Sequence, residues 1–128
     1  MPLKIKRIYE PADASDGIRV LVDRLWPRGI SKDRARIDEW LKEIAPSTEL
    51  RTWYHHAPAR WKGFIARYKA ELATAEGEEL LHHLGSAATR HTVTLLFSSK
   101  EEKRNNAVAL QLILNARQPS KSPKRKAK

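Results

Sequence analysis

The stretch "TVTLLFSS", residues 92–99, is short, apolar and β-branched, with polar residues on both sides. That composition predicts a β-strand buried on both faces, because such strands read as continuous apolar runs instead of alternating ones. A second run of the same kind, "IRVLVD" at residues 18–23, ends where Pro27 and Gly29 stop it. About seventy residues separate the two, a length that favours parallel pairing with helices covering the sheet. The carboxyl ends of both strands then lie side by side.

Working outward, "LKIKRIY" at residues 3–9 alternates imperfectly and suits a half-exposed strand near a sheet edge. The eight-residue link "EPADASDG" is shorter than the dozen or so residues of a parallel crossover, so this strand runs antiparallel or pairs elsewhere. Ser31 is an N-cap candidate, and Ile37, Trp40, Leu41 and Ile44 at helical spacing predict a helix over about 37–44. Ser47 opens a second helix through about residue 55. Pro58 opens a third, with Trp61, Phe64, Ile65, Tyr68 and Leu72 on one apolar stripe. A fourth, around 75–84, carries Leu80, Leu81 and Leu84 and meets Gly85 where a C-terminal cap belongs. The segment "AVALQLILNARQ" predicts a mostly buried final helix stopping before Pro119. The expected fold class is α/β, a small, mostly parallel sheet covered by helices with its strand order open, in one domain over residues 1–118.

Composition narrows the function classes. The chain has 128 residues, and none of its apolar runs approaches the ~20 residues of a membrane span. No signal-peptide core is present at the N-terminus, so the expectation is a soluble protein, cytoplasmic by default and with no membrane partner. The absence of cysteine excludes disulfides, thiolate nucleophiles and cysteine metal sites. No GxGxxG, GxxxxGK, GxSxG or helix-turn-helix spacing occurs, so no cofactor is assigned. The adjacent pairs His55–His56 and His82–His83 face different directions on a helix, and no HExxH pattern surrounds them, so no metal is expected there.

The formal net charge is +10, and the terminal segment "PSKSPKRKAK", residues 119–128, holds five bases and no acid. It has too little apolar surface to order itself and reads as a disordered tail. Such a tail is either a solubilising terminus or a non-specific contact for nucleic acid through counterion release.

In open α/β sheets ligands bind beyond the carboxyl ends of the strands. That rule joins "DRLWPRG" after the earlier buried strand to "SSKEEKRNN" after the later one. Arg24 and Arg28 offer forked donors suited to carboxylate or phosphate, and Asp23 could orient one of them or act on a substrate proton. Ser98, Ser99, Asn105 and Asn106 offer neutral hydrogen bonds, and the start of the final helix adds backbone N–H groups. Trp26 and Pro27 would fix the loop. The plainer reading makes Asp23 and Arg24 a strand-end ion pair, Trp26 a core or rim aromatic and the asparagines helix caps.

The blocks "RIYEP", "RVLVDRLWPRGISK", "WLKEIAPS", "TLLF" and "NNAVAL" resemble the YeaO-like branch of a bacterial family known as a domain of unknown function, over about residues 7–114. The resemblance implies no established activity. In the family's longer branch the first loop reads V-D-V-R…P, and a Cys-His-Arg triplet follows the later strand. The matching positions here are Asp23, Arg24 and Pro27, then Asn105 and Asn106. The cysteine is missing, so the resemblance implies a shared pocket without thiol chemistry.

Two functional classes emerge. One is a small enzyme or binding protein for an anionic small molecule, with His55 or His56 as a proton carrier if the helical layer brings it near. The other is a nucleic-acid-associated module whose basic helix flanks, Arg60, Arg67, Lys62 and Lys69, bind phosphates together with the tail.

Overall fold

The structure, a computed structural model, describes residues 3–55 and 57–117. Four strands, β1 (Leu3–Arg7), β2 (Ile18–Leu21), β3 (Glu39–Trp40) and β4 (Val93–Phe97), form one sheet in the order β1-β4-β2-β3. Every pairing is parallel. β4, from the run at residues 92–99, is therefore an inner strand with a neighbour on each side. β4 pairs with β1 from Leu3↔Val93 to Arg7↔Phe97 and with β2 from Ile18↔Val93 to Leu21↔Leu96.

This order answers the question of the first strand. β1 and β2 are not neighbours, and their short link steps across the strand between them. The link has little slack and is tied down locally. Asp13 caps the single 3-10 turn Ala14–Asp16, Ile18 N–H donates to the Thr92 carbonyl at 2.9 Å, and Thr94 Oγ1 donates to the Asp16 carbonyl at 2.7 Å. Gly17 has φ +66°, and a Cβ there would sit 2.1 Å from the Thr92 oxygen, so the crossing requires glycine.

Alternation along the buried strands divides the core in two. Val20, Val22, Leu95 and Phe97 face a large cluster with Phe64, Tyr68, Leu81, Leu84, Leu110 and Ile113. Leu21 and Leu96 face the other way, onto Ile8, Ala35, Trp26 and Trp40. Helices α2 (Thr48–Tyr54), α3 (Trp61–Glu71), α4 (Ala75–Arg90) and α5 (Asn106–Ala116) supply the first face. The stripe on α3 buries Phe64 and Tyr68, and Leu72 just beyond it is buried too, whereas Trp61 and Ile65 are only partly covered.

Two expectations are corrected. The helix anticipated over 37–44 does not form: helix α1 is confined to Lys32–Ala35, capped by Ser31 and ended by Arg36 in the left-handed region (φ 47°). The chain then joins the sheet, since Asp38 N–H donates to the Arg19 carbonyl at 2.8 Å, Leu41 N–H donates to the Leu21 carbonyl at 3.0 Å, and a 3-10 turn follows at Lys42–Ile44. Ile37 and Trp40 serve one core face while Leu41 and Ile44 serve the other, so their spacing reflects a strand passing between two cores. Gly85 is also not a cap, because α4 continues to Arg90 with His91 as its C-cap, burying Ala88.

A polar knot lies over the second face near the amino ends of β2 and β4. Asp16 (2% exposed) accepts from Arg19 Nη1 and from Lys6 Nζ at 3.1 Å. Arg19 (4% exposed) also donates Nη2 to the Ala35 carbonyl at 2.7 Å and Nε to the Arg36 carbonyl at 3.1 Å. Burial alone would raise the Asp16 pKa, but the Asp13 N–H, Lys6 and Arg19 outweigh it and hold the carboxyl below its ordinary 3.8. The tail expected over 119–128 lies outside the described residues.

Candidate functional site

The carboxyl ends of β2 and β4 open into a cleft of about 990 Å³. Its walls come from the loop after β2, the loop after β4, the start of α5 and one side of α2. Asp23, Arg24, Trp26, Arg28 and His55 line it, as do Ser98, Ser99, Asn105 and Asn106. The nine residues singled out from the sequence thus share one hollow, but they do different work in it.

The acidic and neutral members hold the walls together. Asp23 Oδ2 accepts from Ser98 N–H at 3.0 Å and Ser98 Oγ at 2.7 Å, and its Oδ1 accepts from Asn106 Nδ2 at 3.0 Å. The Asp23 carbonyl accepts from Trp40 Nε1 at 2.8 Å, which ties β3 to the same point. Asn106 Nδ2 also donates to the Val22 carbonyl at 3.0 Å. Asn105 is the N-cap of α5: its Oδ1 accepts from Val108 N–H at 2.9 Å and its Nδ2 donates to the Glu101 carbonyl at 2.7 Å. The Ser98 and Ser99 carbonyls accept from Arg7 at 3.0 and 2.9 Å, and Ser99 Oγ accepts from Glu101 N–H at 3.0 Å. Trp26 Nε1 donates to the Ile30 carbonyl at 2.8 Å, closing its own loop, and its ring meets Trp40 edge-on at 5.5 Å. Gly29, at φ +76°, makes the turn.

The cations are a different case. Arg24 donates Nη2 to the Ala45 carbonyl at 3.0 Å, while its Nε is buried with no hydrogen-bond partner among the described residues. The strand-end ion pair between Asp23 and Arg24 does not form, because the carboxylate is turned to Ser98 and Asn106. Arg28 is exposed at the cleft wall. Sequence reasoning missed three more cations lining it: Arg51, Lys100 and Arg104. The signal for Arg51 lies in α2, where Thr48, Arg51, Thr52 and His55 fall at helical spacing and all line the cleft. Ion pairs among the described residues join Lys6 and Arg19 to Asp16, His83 to Glu39 and Arg117 to Glu78, and none includes a cleft cation. Against the five cations stand the carboxylates of Asp23 and Glu101, the latter accepting from Lys103 N–H at 3.0 Å.

His55 caps α2 in the left-handed region (φ 40°) and lines the cleft; His56 lies outside the described residues. Tyr54 ends α2 just before His55, its phenol pushed up by burial, which the nearby Arg104 opposes. Among the described residues no group of three or more His, Asp or Glu is placed to hold a metal, and no helix is long and apolar enough to cross a membrane. The basic flank of α3 is partly engaged: the Arg60 and Arg67 guanidinium groups lie 5.1 and 4.0 Å from the Trp53 ring centroid, and Arg60 also donates to the Trp53 carbonyl.

Comparison of the sequence with known proteins finds relatives of similar length. Over 110 residues the sequence is 47% identical to uncharacterized protein YeaO of Escherichia coli (strain K12), covering 86% of this chain and 94% of that one. It is 43% identical over 115 residues to uncharacterized protein Rv3073c of Mycobacterium tuberculosis (strain ATCC 25618 / H37Rv), covering 90% and 95%. No solved structure matches. The family profile described as the inactive DUF488-N3 subclade matches residues 2–127, and the chain belongs to that subclade.

Proposed function

We propose that the cleft at the strand ends binds an anionic small molecule. The observation that carries this reading is the group of five cations, Arg24, Arg28, Arg51, Lys100 and Arg104, lining one hollow with no ion pair to any of them among the described residues. Positive side chains gathered in a concave site repel one another, and an anion relieves that repulsion. Arg24 serves as the anchor: the Ala45 carbonyl accepts from its Nη2 and holds the guanidinium at the cleft wall. Arg28, Arg51 and Arg104 supply forked donors from three separate elements. The subclade's description as inactive, together with an Asp23 carboxylate engaged by Ser98 and Asn106, favours holding a ligand over transforming it. The alternative, phosphate binding along α3 and the tail, is weakened by the stacking of Arg60 and Arg67 on Trp53.

The test is a thermal-shift screen of phosphate, sulfate and small carboxylates, with the best binder titrated into Arg28→Lys and Arg51→Lys. A ligand at 100 times its Kd stabilises by about 2.7 kcal/mol. Both lysine variants keep the charge, lose the planar fork and bind more weakly. If no anion shifts the wild-type protein, or both variants bind as it does, the cleft is not an anion site.

A further inference from the structure

The cleft has a second character besides its charge. Among the described residues the exposed large hydrophobic side chains are Tyr9 (36%), Leu25 (71%) and Leu112 (45%), and the first two line this same cleft. Neither belongs to a frayed segment. The Tyr9 hydroxyl donates to the Arg28 carbonyl at 2.7 Å, and the Arg7 guanidinium lies 4.9 Å from its ring centroid. Leu25 sits between Asp23, fastened to β4 and α5, and Trp26, fastened to Ile30. A leucine left in water on a pinned loop gains nothing for the fold, since its apolar surface is stabilising only once covered. The space is also far larger than a bare oxyanion needs: about 990 Å³ is at the upper end of clefts that hold drug-sized organic ligands.

We infer that the ligand is an organic anion, with a carboxylate or phosphate head on the arginines and an apolar body covering Tyr9 and Leu25. This rests on the anion reading above and adds the body to it. The alternatives differ in an observable way, because an inorganic ion would leave the apolar wall bare and an uncharged apolar molecule would leave the arginines without a counter-charge.

Calorimetric titration of the full chain with two matched pairs, inorganic phosphate with phenyl phosphate and acetate with benzoate, and with phenol as the uncharged control, separates these cases. In at least one pair the ring-bearing anion binds about tenfold or more tighter than its parent ion and than phenol. The pair that responds identifies the head. Leu25→Ser removes most of that gain while leaving the parent ion's affinity and the melting temperature unchanged, and Tyr9→Ala provides an independent second variant. Equal binding of parent and ring-bearing anions overturns the apolar body and leaves the anion site standing. Binding of phenol as tight as that of the anions overturns the organic anion, and absence of binding by every anion removes both readings.

Discussion

Arg19 and Arg24 are five positions apart on the same strand and its exit loop, yet they meet opposite fates. Arg19 is buried with a carboxylate against Nη1 and backbone carbonyls against its remaining nitrogens. Arg24 has one backbone acceptor and a buried Nε with none, while the carboxylate beside it in sequence is turned to Ser98 and Asn106. Near the amino ends of the strands the chain supplies its own counter-charge from the crossover turn, and the result is architecture. At the carboxyl ends it gathers cations without pairing them, which leaves their interaction open to something outside the chain. The difference separates a buried charge that holds the fold from one held by the fold.

That contrast can be broken most severely at Asp16. Asp16→Ala leaves Arg19 buried without its counter-ion and costs about 3–5 kcal/mol in urea unfolding; a loss below about 1 kcal/mol would show that the knot is not structural. The same carboxylate gives stability a pH dependence. Its folded pKa lies below the unfolded value, so its contribution is present above about pH 4 and is lost as pH falls through the folded pKa. Unfolding measured from pH 6 to pH 2 shows an acid limb that is shallower in Asp16→Asn.

Asp23 gives a smaller effect. Asp23→Ala strands the Ser98 and Asn106 donors, and because these groups are only part-buried the expected cost is about 1–3 kcal/mol. Smallest is Arg51→Gln, where an exposed cation with no ion pair among the described residues is neutralised. Stability without added anion changes by no more than about 0.5 kcal/mol. A cost near that of Asp16→Ala would erase the distinction between the two regions.

Much of this was legible in the sequence where local pattern and tertiary role agree. The runs at 18–23 and 92–99 became buried strands because covering both faces favours near-continuous apolar residues, and the exceptions, Arg19 and Thr94, are buried with hydrogen-bond partners. Ser31, Ser47 and Asn105 cap helices as their chemistry suggests. The segment 37–44 misled because residues alternately serving two cores fall at three- and four-residue spacings, which imitates a helix face. Gly85 misled because burial of Ala88 one turn on repays the helix for continuing. The place of β1 was beyond local reading, since it depends on which strand lies between two others. At the strand ends, the rule for parallel sheets located the two loops that line the cleft, but residue type alone could not separate Ser98 and Asn106, bonded to Asp23, from the arginines without an ion pair among the described residues. Arg104 was missed within "SSKEEKRNN" because residue type alone does not say which of the three bases there face the cleft.

The sheet order also sets a schedule for synthesis. β4, which lies between β1 and β2, is the last strand to leave the ribosome, and β1 and β2 have no ladder with each other. Until residue 97 emerges, the sheet can assemble only the two-residue pairing of β2 with β3, Val20↔Glu39 and Leu21↔Trp40. Val20, Leu21 and Val22 must wait through the making of four helices with their future neighbour absent, a state prone to misassociation in a crowded cell. β4 then closes two ladders at once, so completion of the sheet is a single late event, and a nascent chain stalled before residue 93 carries α1 to α4 with no more sheet than the β2–β3 pairing to organise them.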